Sequence, residues 1–186
     1  MKKVILSMIV AVCLLASCAN VQQSSETKKI LIVYYTYSGN TQEIAKQIQE
    51  FTQGDIFEIL PMEAYPKDYQ QCVEKAREEI NANVKPTLKA TPENIAQYDI
   101  IFVGSPNWCS TIAPPIATFL SESDLSGKTI IPFVTHGSGG KANCFTNMEK
   151  LCPESTILEG LALPGANVKE AKANVENWLK KIEVIK

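Results

Sequence analysis

From Ile30 to Ile182, short and nearly continuous apolar runs alternate with longer stretches whose apolar residues recur every three or four positions. The runs 30–35 (ILIVYY), 55–60 (DIFEIL), 99–104 (DIIFVG), 129–134 (TIIPFV) and 156–159 (TILE) predict strands. The first, third and fourth are almost wholly apolar and rich in Ile and Val, the pattern of parallel strands covered on both faces. Helical spacing predicts helices over 41–53, 68–82, 114–122, 141–151 and 168–182. Asn40, Asp68 and Asn167 each stand three residues before a Glu or Gln, the arrangement in which a side chain caps the first turn. Gly54 stops the first helix, and Thr91-Pro92 opens a short turn before the third strand. Trp178 shares a helical face with Val175, Leu179 and Ile182 and is expected in the core. Alternation of this kind predicts an α/β fold, a doubly wound parallel sheet with helices on both faces and right-handed crossovers.

Residues 1–17 stand outside this pattern. Lys2 and Lys3 precede the apolar run Val4 to Leu14, too short to span a bilayer comfortably, and Leu15-Ala16-Ser17-Cys18 closes it. The segment reads as a signal peptide, and its LASC ending resembles a bacterial lipobox. That resemblance implies cleavage before Cys18, lipid on its sulfur and new amine, and a protein held outside the cytoplasm at the cell envelope. Residues 18–29 are polar and aperiodic, a tether, and 30–186 form one domain. With Lys2 and Lys3 removed, 16 basic residues face 20 acidic ones, which argues against nucleic acid as a partner.

In a doubly wound sheet, ligands sit beyond the carboxyl ends of the strands. There the first strand runs through TYSGNT, Thr36 to Thr41, directly into a helix, with no basic residue in the turn. A helix N-terminus presents unpaired N–H groups and a partial positive charge, so such a turn can hold a phosphate without a cation. Thr36, Ser38, Asn40 and Thr41 add neutral donors, and Gly39 lets the backbone come close. The turn is neither a GxxxxGK[ST] loop nor a GxGxxG fingerprint. His136 is the only histidine, no cysteine pair has zinc spacing and no Gly-x-Ser-x-Gly elbow occurs, so no metal site or hydrolase triad is expected.

TYSGNT resembles the phosphate loop of the flavodoxin family, T-x-[ST]-G-[NT]-T. Residues 98–120 (YDIIFVGSPNWCSTIAPPIATFL) resemble the family's third strand, flavin loop and following helix, and 128–140 (KTIIPFVTHGSGG) its fourth strand and second flavin loop. The resemblance implies a flavodoxin-like five-stranded sheet of order 2-1-3-4-5 and FMN as cofactor. Thr36, Tyr37, Ser38, Gly39, Asn40 and Thr41 would hold the phosphate. Pro106, Asn107, Trp108 and Cys109 would line one side of the ring system, and Thr135, His136, Gly137 and Ser138 its other edge. Trp108 offers a flat face for stacking, and Asn107 tolerates the positive φ that a rearranging flavin loop needs. Related lipoprotein-like members show W-W-G where this chain has Trp108-Cys109-Ser110, so a second stacking ring is not evident.

The expected function is FMN-dependent electron transfer at the envelope, the partner being a redox protein or a quinone. Outside the cytoplasm no nicotinamide pool exists, and the chain carries no nicotinamide fingerprint. Alternatives are an FMN-dependent reductase of a quinone or other small acceptor, and a flavodoxin-shaped binding module without cofactor. Besides Cys18, the mature chain has Cys72, Cys109, Cys144 and Cys152. Cys144 and Cys152 lie eight residues apart on one expected helix, ~12 Å at 1.5 Å per residue and too far to bridge. Cys72 and Cys152 fall on helices separated by a third. If any pair bridges, Cys109 and Cys144, beside the two expected flavin loops, are the expected pair.

Overall fold

The computed structural model describes residues 28–186, and the expected signal peptide, Cys18 and most of the tether lie outside the described residues. The elements are β1 (Ile30–Tyr34), α1 (Asn40–Thr52), β2 (Asp55–Glu58), α2 (Tyr69–Asn81), β3 (Ile100–Trp108), β4 (Thr111–Ile112), α3 (Pro114–Glu122), β5 (Thr129–His136), α4 (Cys144–Leu151), β6 (Thr156–Ile157), β7 (Leu161–Pro164) and α5 (Lys172–Lys181). The sheet runs β2-β1-β3-β5, and β6 and β7, both parallel to β5, share its fifth position. This is the expected 2-1-3-4-5 order, with the fifth strand in two pieces. The remaining strand, β4, turns back antiparallel onto the end of β3.

Alternation along the strands sends their side chains into two separate cores. Leu31, Val33, Ile101, Val103, Ile130 and Val134 pack beneath α2, α3 and α4. Ile32, Tyr34, Ile100, Phe102, Ile131 and Phe133 pack beneath α1 and α5. Each fully buried Ile or Phe contributes about 1.5–3 kcal/mol relative to exposure, which is why these runs read so clearly in the sequence. α1 buries Thr41, Ile44, Ala45 and Ile48, one helical stripe, against that second core. Trp178 lies there as expected, edge-on to Phe102, with its indole N–H donated to the Glu159 carbonyl at 2.9 Å.

Several boundaries and caps differ from expectation: the third strand runs on to Trp108, and Gly39, not Asn40, is the N-cap of α1, so the Asn40–Glu43 capping pair is not used. The fifth strand continues past Glu159 to Pro164, because Gly160 lets the chain pass α4: a Cβ there would lie 2.7 Å from both the Phe145 ring and the Pro132 carbonyl. The segment 165–170 is a 3-10 turn, and the Asn167–Glu170 capping pair is not used. The buried Gln47 amide instead donates to the Val168 carbonyl at 2.8 Å and pins that turn to α1. Gln53, not Gly54, takes the left-handed conformation that ends α1. The Asp68 cap is realised, accepting from Gln71 N at 2.9 Å.

Candidate functional site

β1, β3, β5 and β7 all end at one edge of the sheet, and the loops that leave them meet there. Thr36 Oγ1 accepts from Gly39 N at 3.0 Å and folds the first loop back on itself. Gly39 takes φ 86, and open space lies where its Cβ would point. It precedes α1 as the N-cap, and no side chain among the described residues caps the helix. The first-turn amides are thus presented to an anion without internal competition.

The candidate phosphate residues do not all point the same way. Thr36, Ser38, Gly39 and Asn40 line this turn. Thr41 is 1% exposed and shares a 2.8 Å hydrogen bond with the buried Thr135 hydroxyl, so its side chain ties two loops together instead of facing a ligand. Tyr37 donates to the Pro66 carbonyl at 2.7 Å and lays its ring against Trp108. Gly165, which sequence reasoning missed, abuts Asn40: a methyl at that position would run into the Asn40 amide.

Pro106, Asn107, Trp108 and Cys109 lie on the β3–β4 hairpin, where Asn107 pairs with Ile112 and Trp108 with Thr111. Positive φ falls at Cys109 (48) and Ser110 (68), not at the expected Asn107. These are the two central positions of a hairpin turn, where both residues must go left-handed for the turn to match the strand twist. Asn107 acts through its side chain, donating to the Gly140 carbonyl at 2.8 Å. Asn143 N donates to the Ser110 carbonyl at 3.0 Å, a second tie between the two loops. Ser105, fully buried, accepts from Ala113 N at 2.9 Å and so fixes the start of α3.

Trp108 is walled by three tyrosines. Tyr65, Tyr35 and Tyr37 approach it at 4.7, 5.5 and 5.8 Å between ring centroids, each nearly perpendicular. Such edge-to-face contacts hold the indole plane, each worth about 0.5–1.5 kcal/mol. Burial, and then the hydrogen bond to Glu79, hold the Tyr65 hydroxyl far above the usual phenol range. Burial does the same for Tyr35. The cluster therefore stays neutral across physiological pH.

Thr135 and His136 end β5, and Gly137 and Ser138 continue exposed beyond it. His136 Nδ1 is buried without a hydrogen-bond partner among the described residues, a group that calls for a ligand acceptor or donor.

The expected Cys109–Cys144 bond is not formed: the four described cysteines are free, with Cys109 exposed and Cys144 sealed in the core. Cys144 opens α4 facing inward with Met148, away from the surface on which Cys109 stands. Burial pushes the Cys144 thiol up to about 12 and the Cys152 thiol to about 11, from an ordinary 9.0. Alkylation of the native protein at pH 8 is therefore expected to label Cys109 and to leave Cys144 and Cys152 unmodified until the chain is unfolded. The fold holds both buried thiols neutral, so their contribution to stability is complete below pH 9 and is lost as pH rises through 11 and 12. Rapid labelling of Cys144 in peptide maps of folded protein would contradict this.

Residues 29–182 match the sequence model of the flavodoxin family, and the chain belongs to it. Its fold is shared by a candidate flavoprotein from Bacteroides eggerthii, 29% identical, with a TM-score of 0.75 over 84% of this chain and 98% of that one. A candidate flavoprotein from Bacteroides uniformis is likewise 29% identical, with a TM-score of 0.74 over 83% and 99% of the two chains. A Lactobacillus acidophilus flavoprotein in complex with FMN is 24% identical, with a TM-score of 0.66 over 77% and 97%, a likeness of fold.

The site also fits FMN on its own geometry. The uncapped α1 turn suits a phosphate, the open space at Gly39 admits it, and the orphaned His136 Nδ1 marks a polar position beside the second loop.

Proposed function

We propose that this flavodoxin-family protein binds FMN at the carboxyl edge of its sheet and carries electrons between redox partners while held at the cell envelope through lipid on Cys18. The observation that carries the reading is the N-terminus of α1, which no side chain among the described residues caps and which opens behind Gly39 into free space. Bound FMN supplies a group that accepts and releases one or two electrons. The chain's own residues bind and orient it. First-turn amides of α1 with Thr36, Ser38 and Asn40 hold the phosphate without a cation, Trp108 presents an indole fixed by its tyrosines, and the Asn107–Gly140 hydrogen bond keeps the two flanking loops together. The envelope location rests on Lys2, Lys3, the apolar run to Leu14 and the LASC ending.

Two measurements test this reading. Titration of the chain beginning at residue 18 with FMN and with riboflavin is expected to show FMN bound at least tenfold more tightly, since a hydrogen bond to a charged acceptor is worth about 1.5–3 kcal/mol. Equal affinities, or none, would remove the phosphate site from the account. For the anchor, labelled palmitate fed to producing cells should appear on the wild-type protein and not on Cys18→Ser.

One observation favours a second reading, a small FMN-dependent reductase. A cavity of about 390 Å³ adjoins the β3–β4 turn, lined by Cys109, Ser110, Thr111, Asn143 and Asn147 among others, within the size range of small-molecule sites. Sustained turnover of a soluble quinone by FMN-loaded, chemically reduced protein would favour the enzyme over the carrier.

A further inference from the structure

Cys72 and Cys109 lie far apart in the chain and on different elements, yet both line one cavity of about 160 Å³, together with Tyr37, Tyr69, Asn107 and Trp108. That volume amounts to roughly five waters at ~30 Å³ each, so both residues border one small space. Cys72 sits in the first turn of α2 and is 4% exposed, while Cys109 is exposed at the tip of the hairpin. Burial pushes the Cys72 thiol up, the Tyr37 hydroxyl opposes that rise, and Glu79 and Cys109 add to it. Neither thiol has a role in phosphate binding or in the loop ties. The other two described cysteines line neither this cavity nor the larger one on the other side of Cys109.

We propose that Cys72 and Cys109 are a dithiol–disulfide pair, oxidised by exchange with a low-molecular-weight disulfide and closing the β3–β4 hairpin onto α2. Cys109 reacts first because it is the accessible one. Its thiolate attacks one sulfur of the added disulfide, forms a mixed disulfide and releases one thiolate. The Cys72 thiolate then attacks the Cys109 sulfur and expels the second. Two protein thiols are oxidised, the added disulfide is reduced to two thiols, and the protons lost by the protein end on those leaving groups. Bridging requires the two Cα atoms within about 7 Å. The hairpin tip is the part that adjusts, since Cys109 and Ser110 are exposed, and the hydrogen bond from Asn143 N to the Ser110 carbonyl is the tie that has to yield. The closed form covers the part of Trp108 that lines this cavity. A dithiol beside the site also defines a class of partner, a thiol–disulfide carrier.

The four described cysteines fall on separate tryptic peptides, 68–75, 90–128, 142–150 and 151–169, so their connectivity is directly readable. The full chain, freed of reductant and incubated with oxidised glutathione, is expected to yield 68–75 joined to 90–128 as the main cross-link, in most molecules and reversibly with dithiothreitol. Cys72→Ala should stop at a glutathione adduct on Cys109, and Cys109→Ser should give neither adduct nor cross-link. A lasting glutathione adduct on Cys109 in the wild type, a Cys109–Cys144 cross-link, or no reaction at either thiol each overturns the proposal.

Discussion

Ser38→Asp is expected to lower FMN affinity by a hundredfold or more while riboflavin affinity stays within about twofold. Ser38 is exposed in the loop that precedes α1, and no charged side chain of the loop stands near it in sequence. A carboxylate there would face the phosphate across a few ångströms. At an effective dielectric of about 20, two unit charges ~4 Å apart repel by roughly 4 kcal/mol, and solvent exposure leaves on the order of 3 kcal/mol of this, about two decades in affinity. The same carboxylate lies at the positive end of α1, where it should stabilise the free protein by ~0.3–1 kcal/mol. Opposite signs for folding and for FMN binding are the signature of a phosphate cradle, since a merely structural lesion would move both the same way. Thermal unfolding without ligand and titration with both flavins give the three numbers needed. Parallel loss of FMN and riboflavin would show that the loop grips something other than the phosphate. Thr41→Ala is a poorer probe: its hydroxyl is bonded to Thr135, and removing it orphans a buried partner at about 1–3 kcal/mol of stability.

The flavodoxin-like order was legible because parallel strands buried on both faces leave runs such as Ile30–Tyr34 and Ile100–Gly104 with almost no polar interruption. The phosphate turn was legible for a related reason. A polar, cation-free stretch between a buried strand and an amphipathic helix has few structural uses, and family motifs added the flanking loops. What stayed hidden depends on contacts between distant positions. The tyrosines around Trp108 are Tyr35, Tyr37 and Tyr65, which no spacing rule relates to a hairpin some forty to seventy residues on. The second piece of the fifth strand is framed by Gly160 and Pro164, both turn formers in isolation, and only the close pass of Phe145 explains the glycine. The hairpin after Trp108 lacks the Asn-Gly signal of its turn type, so Cys109 and Ser110 gave no local sign of their left-handed backbone. Thiol geometry was misjudged for a similar reason. Chain position places Cys144 beside a flavin loop, whereas the helical phase of α4 turns it into the core.

Gly104→Ala is expected to destabilise the flavin-free protein by about 2–3 kcal/mol, a fall in Tm of roughly 4–12 °C for a chain of this size. Gly104 is the last residue of β3 to face β1, paired with Tyr34 on one side and Phe133 on the other. A methyl on it would lie under 3.0 Å from three atoms of the Phe133 ring, which is fully buried and has nowhere to swing. The glycine is therefore needed for close approach and not for backbone freedom, since its φ is not positive. The two effects of adding a methyl oppose one another: a stiffer unfolded chain favours folding by about 0.4–1 kcal/mol, and overlap with the ring opposes it by more. If the overlap dominates, shortening the ring must relieve it. Phe133→Leu alone should cost about 1–2 kcal/mol as a partial cavity, yet the double variant should be more stable than the sum of the two changes by at least 1 kcal/mol, because the new methyl occupies space the ring has left. Additive effects in that cycle, or a Gly104→Ala protein as stable as the parent, would show that β3 and β5 are not packed through this glycine. The strain also reaches the site. Gly104 accepts from Tyr35 N at 3.0 Å and is followed by Ser105, which anchors α3, so a displaced β3 end tilts the hairpin that carries Trp108. FMN affinity should fall in Gly104→Ala and recover in part when Phe133→Leu is added, in step with stability.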